Sequence, residues 1–137
     1  VSNSRPFRLK APRLNENDVE RACLDLLKLR SYWAARLHAG TFKSVDGARW
    51  IKGVAKGTPD YGALHEIYPG FLIEVKRPGE KPSREQEFRH WEIRAGYRIA
   101  IAVVDNVASL ATWLDAHEQS ARERWAGFLT VRQVRGP

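Results

Sequence analysis

The chain is predicted to fold as an α/β domain, a mixed β-sheet flanked by helices. Three observations predict this. Val19, Ala22, Cys23, Leu26 and Leu27 recur at helical spacing near the start. Phe71 to Lys76 and Tyr97 to Val104 are apolar runs of strand length, rich in Ile and Val. Further helical patterns follow each of those runs, the order expected of helices layered on a sheet.

The first helix is expected over residues 16–30, capped by Asn15 or Asn17. Residues 32–38 read as a strand, with Gly40 ending it. Residues 41–52 read as a hairpin, because Asp46-Gly47 is a tight-turn pair between β-prone runs. A strand from Asp60 to about His65 and a turn at Tyr68-Pro69-Gly70 precede the strand 71–76. Ser83 is expected to open a helix running to about Ala95, with Phe88 and Trp91 on its buried side and Gly96 ending it. The strand 97–104 leads to a helix from Asn106 to about His117, its face formed by Val107, Leu110, Ala111 and Leu114. Residues 118–126 extend that helix or start another, and Phe128 to Val134 is expected as an edge strand.

With 137 residues the chain has room for one ordinary domain, placed at 15–137. Residues 1–14 are basic, carry two prolines and lack any period, so they are expected to form a flexible arm. The net charge of +7 favours a polyanionic partner, nucleic acid before an anionic membrane. No stretch approaches the ~18 apolar residues of a membrane span, and the opening residues lack the apolar core of a signal peptide. The single cysteine, Cys23, excludes an internal disulfide and a Cys-based zinc site, and its helical spacing suggests a small buried hydrophobe. A cytoplasmic setting is expected.

The chemistry concentrates in Gly57-Thr58-Pro59-Asp60 and Glu74-Val75-Lys76. Glu74 and Lys76 are two apart on a strand and share a face, while Val75 points to the other. Two carboxylates and the backbone carbonyl of Val75 suit Mg²⁺ or Mn²⁺, hard ions that keep several waters. Such an ion activates water and polarises a phosphodiester, with Lys76 placed to stabilise developing charge. The bland alternative is a same-face ion pair on an exposed strand. Gln86 is one turn into the following helix and can hold the attacking water or a phosphate. Ser83-Arg84-Glu85-Gln86 equally fits a capping box that needs no substrate. Glu20 on the first helix is a candidate third metal-binding acid. Asn17 to Glu20 also fits a capping box, and Glu16 is a rival acid.

Arg49, Lys52, Lys56, Arg77, Lys81 and Arg84 flank the acids in sequence, as a phosphate-backbone tracker requires. His38 is a further candidate phosphate contact or a structural histidine. Trp91 and Trp113 fall on helical apolar faces and read as core. Trp50 in the hairpin suits either base stacking or packing.

Glu20, the Gly57-to-Asp60 segment, Phe71 to Lys76, Ser83, Gln86 and Gly96 with its following apolar strand resemble the PD-(D/E)xK nuclease superfamily, and within it the VRR-NUC family. The resemblance spans about residues 16–105; the position after the first helix where the family often has glycine is Ser31. It implies a restriction-endonuclease-like core, Mg²⁺- or Mn²⁺-dependent cleavage, and catalytic roles for Asp60, Glu74, Lys76 and Gln86. Glu20, Asp60, Glu74 and Val75 would bind metal. Members of this length stand alone in phages or bacteria and tend to be homodimers acting on branched DNA, so a Holliday-junction resolvase is the leading expectation. A flap or other branched-DNA nuclease, a non-catalytic DNA-binding module and a structural domain are the alternatives.

Overall fold

A computed structural model of the chain describes residues 13–37, 41–43, 46–48 and 50–134, with backbone alone at 41–43, 50–52 and 128–134. Its elements in chain order are α1 (Glu16–Leu29), β1 (Trp33–Arg36), β2 (Thr41–Lys43), β3 (Trp50–Lys52), β4 (Tyr61–Leu64), β5 (Phe71–Val75), α2 (Arg84–Glu92), a π-helical turn (Ile93–Tyr97), β6 (Ala100–Val104) and α3 (Val107–Val134). The class is mixed α/β. Four strands form one sheet in the order β1-β4-β5-β6, antiparallel except for the β5–β6 pair. The expected hairpin is present as the antiparallel β2–β3 pair, with Gly47 at φ +71 in its turn.

The core follows from strand alternation. Phe71, Ile73 and Val75 of β5 and Ala102 and Val104 of β6 join Val19, Cys23 and Leu27 of α1 and Leu110 and Leu114 of α3. Residues three, four and eight apart on a helix share one side, so this is the apolar stripe the spacing predicted. Burial pushes the Cys23 thiol up to about 11, which leaves it protonated and inert. Where α1 turns into β1, Ser31 takes φ +66, a left-handed conformation that favours glycine. The α1–α3 contact is tied by Glu118, whose carboxylate accepts from the Tyr32 hydroxyl at 3.0 Å and from Arg30 at 2.6 Å.

Several expectations are corrected. The α1 cap is Asn15, whose side chain accepts from the Asp18 N–H while the Asp18 side chain accepts from the Asn15 N–H, so the capping box is 15–18 rather than 17–20. Phe88 and Trp91 are exposed, not buried, and Trp91 is therefore not core. The side of α2 facing the sheet is set by Gln86 and His90, and a residue two positions from Gln86 points roughly 200° away from it. Gly96 does not end the helix: the π-helical turn runs through it, and Arg98 is the left-handed cap at φ +55. Residues 128–134 are not an edge strand but the last turns of α3. Extending an existing helix adds one hydrogen bond per residue fixed, whereas a new strand there would first need a sheet edge.

Among the described residues no helix is long and apolar enough to cross a membrane. The expected arm, 1–14, lies almost wholly outside the described residues.

Candidate active site

The site forms where β5 leaves the sheet. Alternation sends Phe71, Ile73 and Val75 into the α1–α3 core and Leu72, Glu74 and Lys76 to the face on which α2 sits. Glu74 is thereby 1% exposed and Lys76 8% exposed, so the pair is not the solvated ion pair of the bland alternative. Asp60 enters from the bend that leads into the neighbouring strand, β4. Pro59 is fully buried just before it, and one Asp60 oxygen accepts the Val75 N–H at 2.8 Å, which seats the carboxylate beside the end of β5.

Gln86 forms the capping box expected of it and also reaches the acid and the lysine of β5. As cap partner of α2, its Oε1 accepts the Ser83 N–H at 2.9 Å, and its own N–H donates to Ser83 Oγ at 3.2 Å. The same amide spans the site: Oε1 accepts from Lys76 Nζ at 2.8 Å, and Nε2 donates to Glu74 Oε1 at 2.6 Å. Lys76 Nζ also lies 3.0 Å from Glu74 Oε1. Capping geometry thus orients the amide that aligns the acid and the lysine.

Burial raises Glu74 to about 7, with Asp60 and Glu16 adding to the rise and Lys76 opposing it. Burial also raises Asp60, against the Val75 hydrogen bond and the charges of Lys76 and Arg36. Glu74, raised by the charge of Asp60, and Asp60, raised by that of Glu20, would both gain from a cation placed beside them.

Glu74 Oε2 is buried and has no hydrogen-bond partner. A buried carboxylate oxygen left open beside a second carboxylate fits a divalent cation that completes its ligand shell with water. Among the described residues no three His, Cys, Asp or Glu side chains gather into one metal cluster; Asp60 and Glu74 are the two carboxylates seated at the end of β5. Glu20 is near enough to raise Asp60, but its Oε1 accepts from the Tyr61 hydroxyl and lies 3.3 Å from Arg36. These contacts tie α1 to β4 and β1.

The sequence reasoning missed His90. It is 2% exposed, its Nε2 lies 3.7 Å from Glu74 Oε2, and that nitrogen has no hydrogen-bond partner. Burial holds the imidazole below its ordinary value, aided by the charges of Arg94 and Lys76. The spacing signalled it, since His90 is four residues past Gln86 and so on the same helical side.

The basic candidates divide. Lys56 and Lys81 line, with Lys76, a cavity of about 320 Å³ that reaches Gln86. Lys56 also pairs with Glu85 at 3.4 Å. Arg77 and Arg13 line a second cavity of about 490 Å³ at the start of α1. Arg84 is exposed at the first turn of α2. His38 and Arg49 lie outside the described residues, as does the side chain of Lys52.

No protein-family model matches the chain, and no curated protein matches it.

Proposed function

We propose that the protein is a metal-dependent DNA endonuclease of the PD-(D/E)xK type, with a VRR-NUC-like, restriction-endonuclease-like core. The observation that carries this is the convergence of Asp60, Glu74 and Lys76 at one strand end, bridged by Gln86, with Glu74 Oε2 left open.

Mg²⁺ or Mn²⁺ bound by Asp60, Glu74 and the Val75 carbonyl would supply Lewis-acid polarisation of the scissile phosphate and a water of lowered pKa. Lys76, held between Glu74 and Gln86, is placed to balance charge that builds on the phosphoryl oxygens. The Val75 N–H fixes one oxygen of Asp60 and thereby its orientation. Lys56 and Lys81 supply phosphate contacts beside Lys76. Their charge makes binding to the DNA backbone salt-dependent.

The favoured substrate is branched DNA, and the favoured form a homodimer that resolves a four-way junction inside a bacterial or phage-infected cell. Resolution needs two sites acting on two strands, which a symmetric pair supplies. The half of the sheet face not covered by α2 supports an association of this kind: Trp33, Leu64 and Ile99 are exposed there around an apolar cavity of about 430 Å³.

The test is cleavage of a labelled four-way junction, a 5′ flap and a plain duplex with Mn²⁺, comparing wild type with Glu74→Ala. Paired symmetric cuts in the junction, absent in the variant, are expected. Cuts confined to the flap would keep the chemistry and replace the substrate. No variant-sensitive cutting of any of the three would overturn the nuclease and leave a DNA-binding module.

A further inference from the structure

We propose that the protein carries a second binding site, for one nucleotide unit, at the opposite end of the sheet from the carboxylates. It is a cavity of about 460 Å³ between α3 and the loop that enters β5, walled by Trp113, His117, Ser120, Arg98 and Arg124. Gly70 borders it, four residues before Glu74, so it lies about 13 Å back along β5 at ~3.3 Å per residue.

Its wall has the two parts that a nucleotide requires. The first is an aromatic shelf. Trp113 and His117 are one helical turn apart and stack with centroids 4.8 Å apart and planes at 16°. Phe71 packs against both rings from the core side, at 4.6 and 5.1 Å. His117 Nε2 is 2.8 Å from the Pro69 carbonyl, which fixes the ring. A prepositioned aromatic pair at a cavity wall is a platform for a base.

The second part is unneutralised positive charge. Arg98 and Arg124, like Arg13, Arg21, Arg84, Arg94 and Arg122, have no carboxylate partner among the described residues. Among the described residues no acidic side chain lines this cavity, whereas the one beside Lys76 has Glu80 and Glu85 in its wall. Arg98 also occupies a left-handed position, φ +55, where glycine would be favoured. Two arginines lining one cavity with an aromatic shelf would select a phosphate joined to a base over either alone. The Ser120 hydroxyl adds a donor at the same wall.

The unit can be a free mononucleotide or one residue of a DNA strand. The experiment is NMR titration of the full chain in EDTA, so that no cleavage contributes, following the Trp113 indole and His117 ring signals. Ligands are dTMP, thymidine, inorganic phosphate and 5′-phosphorylated tetrathymidylate. Proteins are wild type, Arg98→Ala/Arg124→Ala and, as a charge-matched control on exposed α1 positions, Arg21→Ala/Lys28→Ala. Saturable shifts with dTMP, at least tenfold weaker for thymidine and for phosphate and at least tenfold weaker in the Arg98/Arg124 variant, are expected. The same pattern with the tetranucleotide alone supports the site and assigns its ligand to a strand. Equal response to phosphate and dTMP, equal loss in the Arg21/Lys28 control, or no shift with any ligand would each overturn it.

Discussion

Gln86 Nε2 donates to Glu74 Oε1 at 2.6 Å, so the cap partner of α2 and the buried acid of β5 form one hydrogen-bonded unit. The helix start and the candidate catalytic centre cannot be altered independently through this residue. The side chain of the neighbouring cap residue, Ser83, accepts among the described residues only from the backbone N–H of Gln86.

That difference separates two substitutions. Ser83→Ala removes a cap and is expected to lower stability by about 1 kcal/mol while leaving cleavage within a few-fold. Gln86→Ala also removes the amide that bonds both Glu74 and Lys76, and a cut in cleavage rate of roughly 10–100-fold is expected. Denaturation midpoints and single-turnover rates on the same preparations check this. Equal activity losses in the two variants would mean that Gln86 acts only as a cap.

Glu74 makes stability pH-dependent in an unusual direction. Its folded-state value of about 7 lies above the ~4.3 of an unfolded glutamate. Below the unfolded value both states hold the proton, and the contribution to stability is complete. Between the two values the folded protein holds a proton that the unfolded chain has released, so stability falls as pH rises. Metal-free wild type is therefore expected to lose roughly 1–3 kcal/mol relative to Glu74→Gln between pH 5 and pH 7.5. Urea unfolding of both proteins in EDTA measures it. Parallel pH profiles would show that Glu74 does not carry the proton. Added Mn²⁺ should bind more tightly at pH 8 than at pH 6, because binding displaces that proton.

Gly57 and Gly79 both take positive φ, +83 and +81, but only Gly57 is crowded. A Cβ there would lie 3.0 Å from the Glu85 carbonyl oxygen, in the first turn of α2, and nothing lies within 4 Å at Gly79. Gly79→Ala is expected to cost about 1–2 kcal/mol through conformation alone. Gly57→Ala adds overlap with α2 and should cost at least ~1 kcal/mol more. It should also slow cleavage, because Gly57 sits three residues before Asp60. Thermal melts of the two variants decide, and equal losses would contradict a close approach of this loop to α2.

The sequence alone determined what depends on neighbours along the chain. The α1 stripe from Val19 to Leu27, the β2–β3 hairpin around Asp46-Gly47, the apolar strand ending in Glu74-Val75-Lys76 and the cap at Ser83 are local patterns, and all are present. The tertiary structure decided what depends on residues distant in sequence. It buried Glu74 and Lys76 by laying α2 over their face, and it turned Gln86 and His90 inward, leaving Phe88 and Trp91 in solvent. It also gave Glu20 to Tyr61 and Arg36, across 41 and 16 positions of chain. Periodicity shows that a helix has two sides; only the charge and shape of what it packs against selects the one that is buried. On α2 the buried acid of β5, which needs polar partners, outweighed two aromatic side chains.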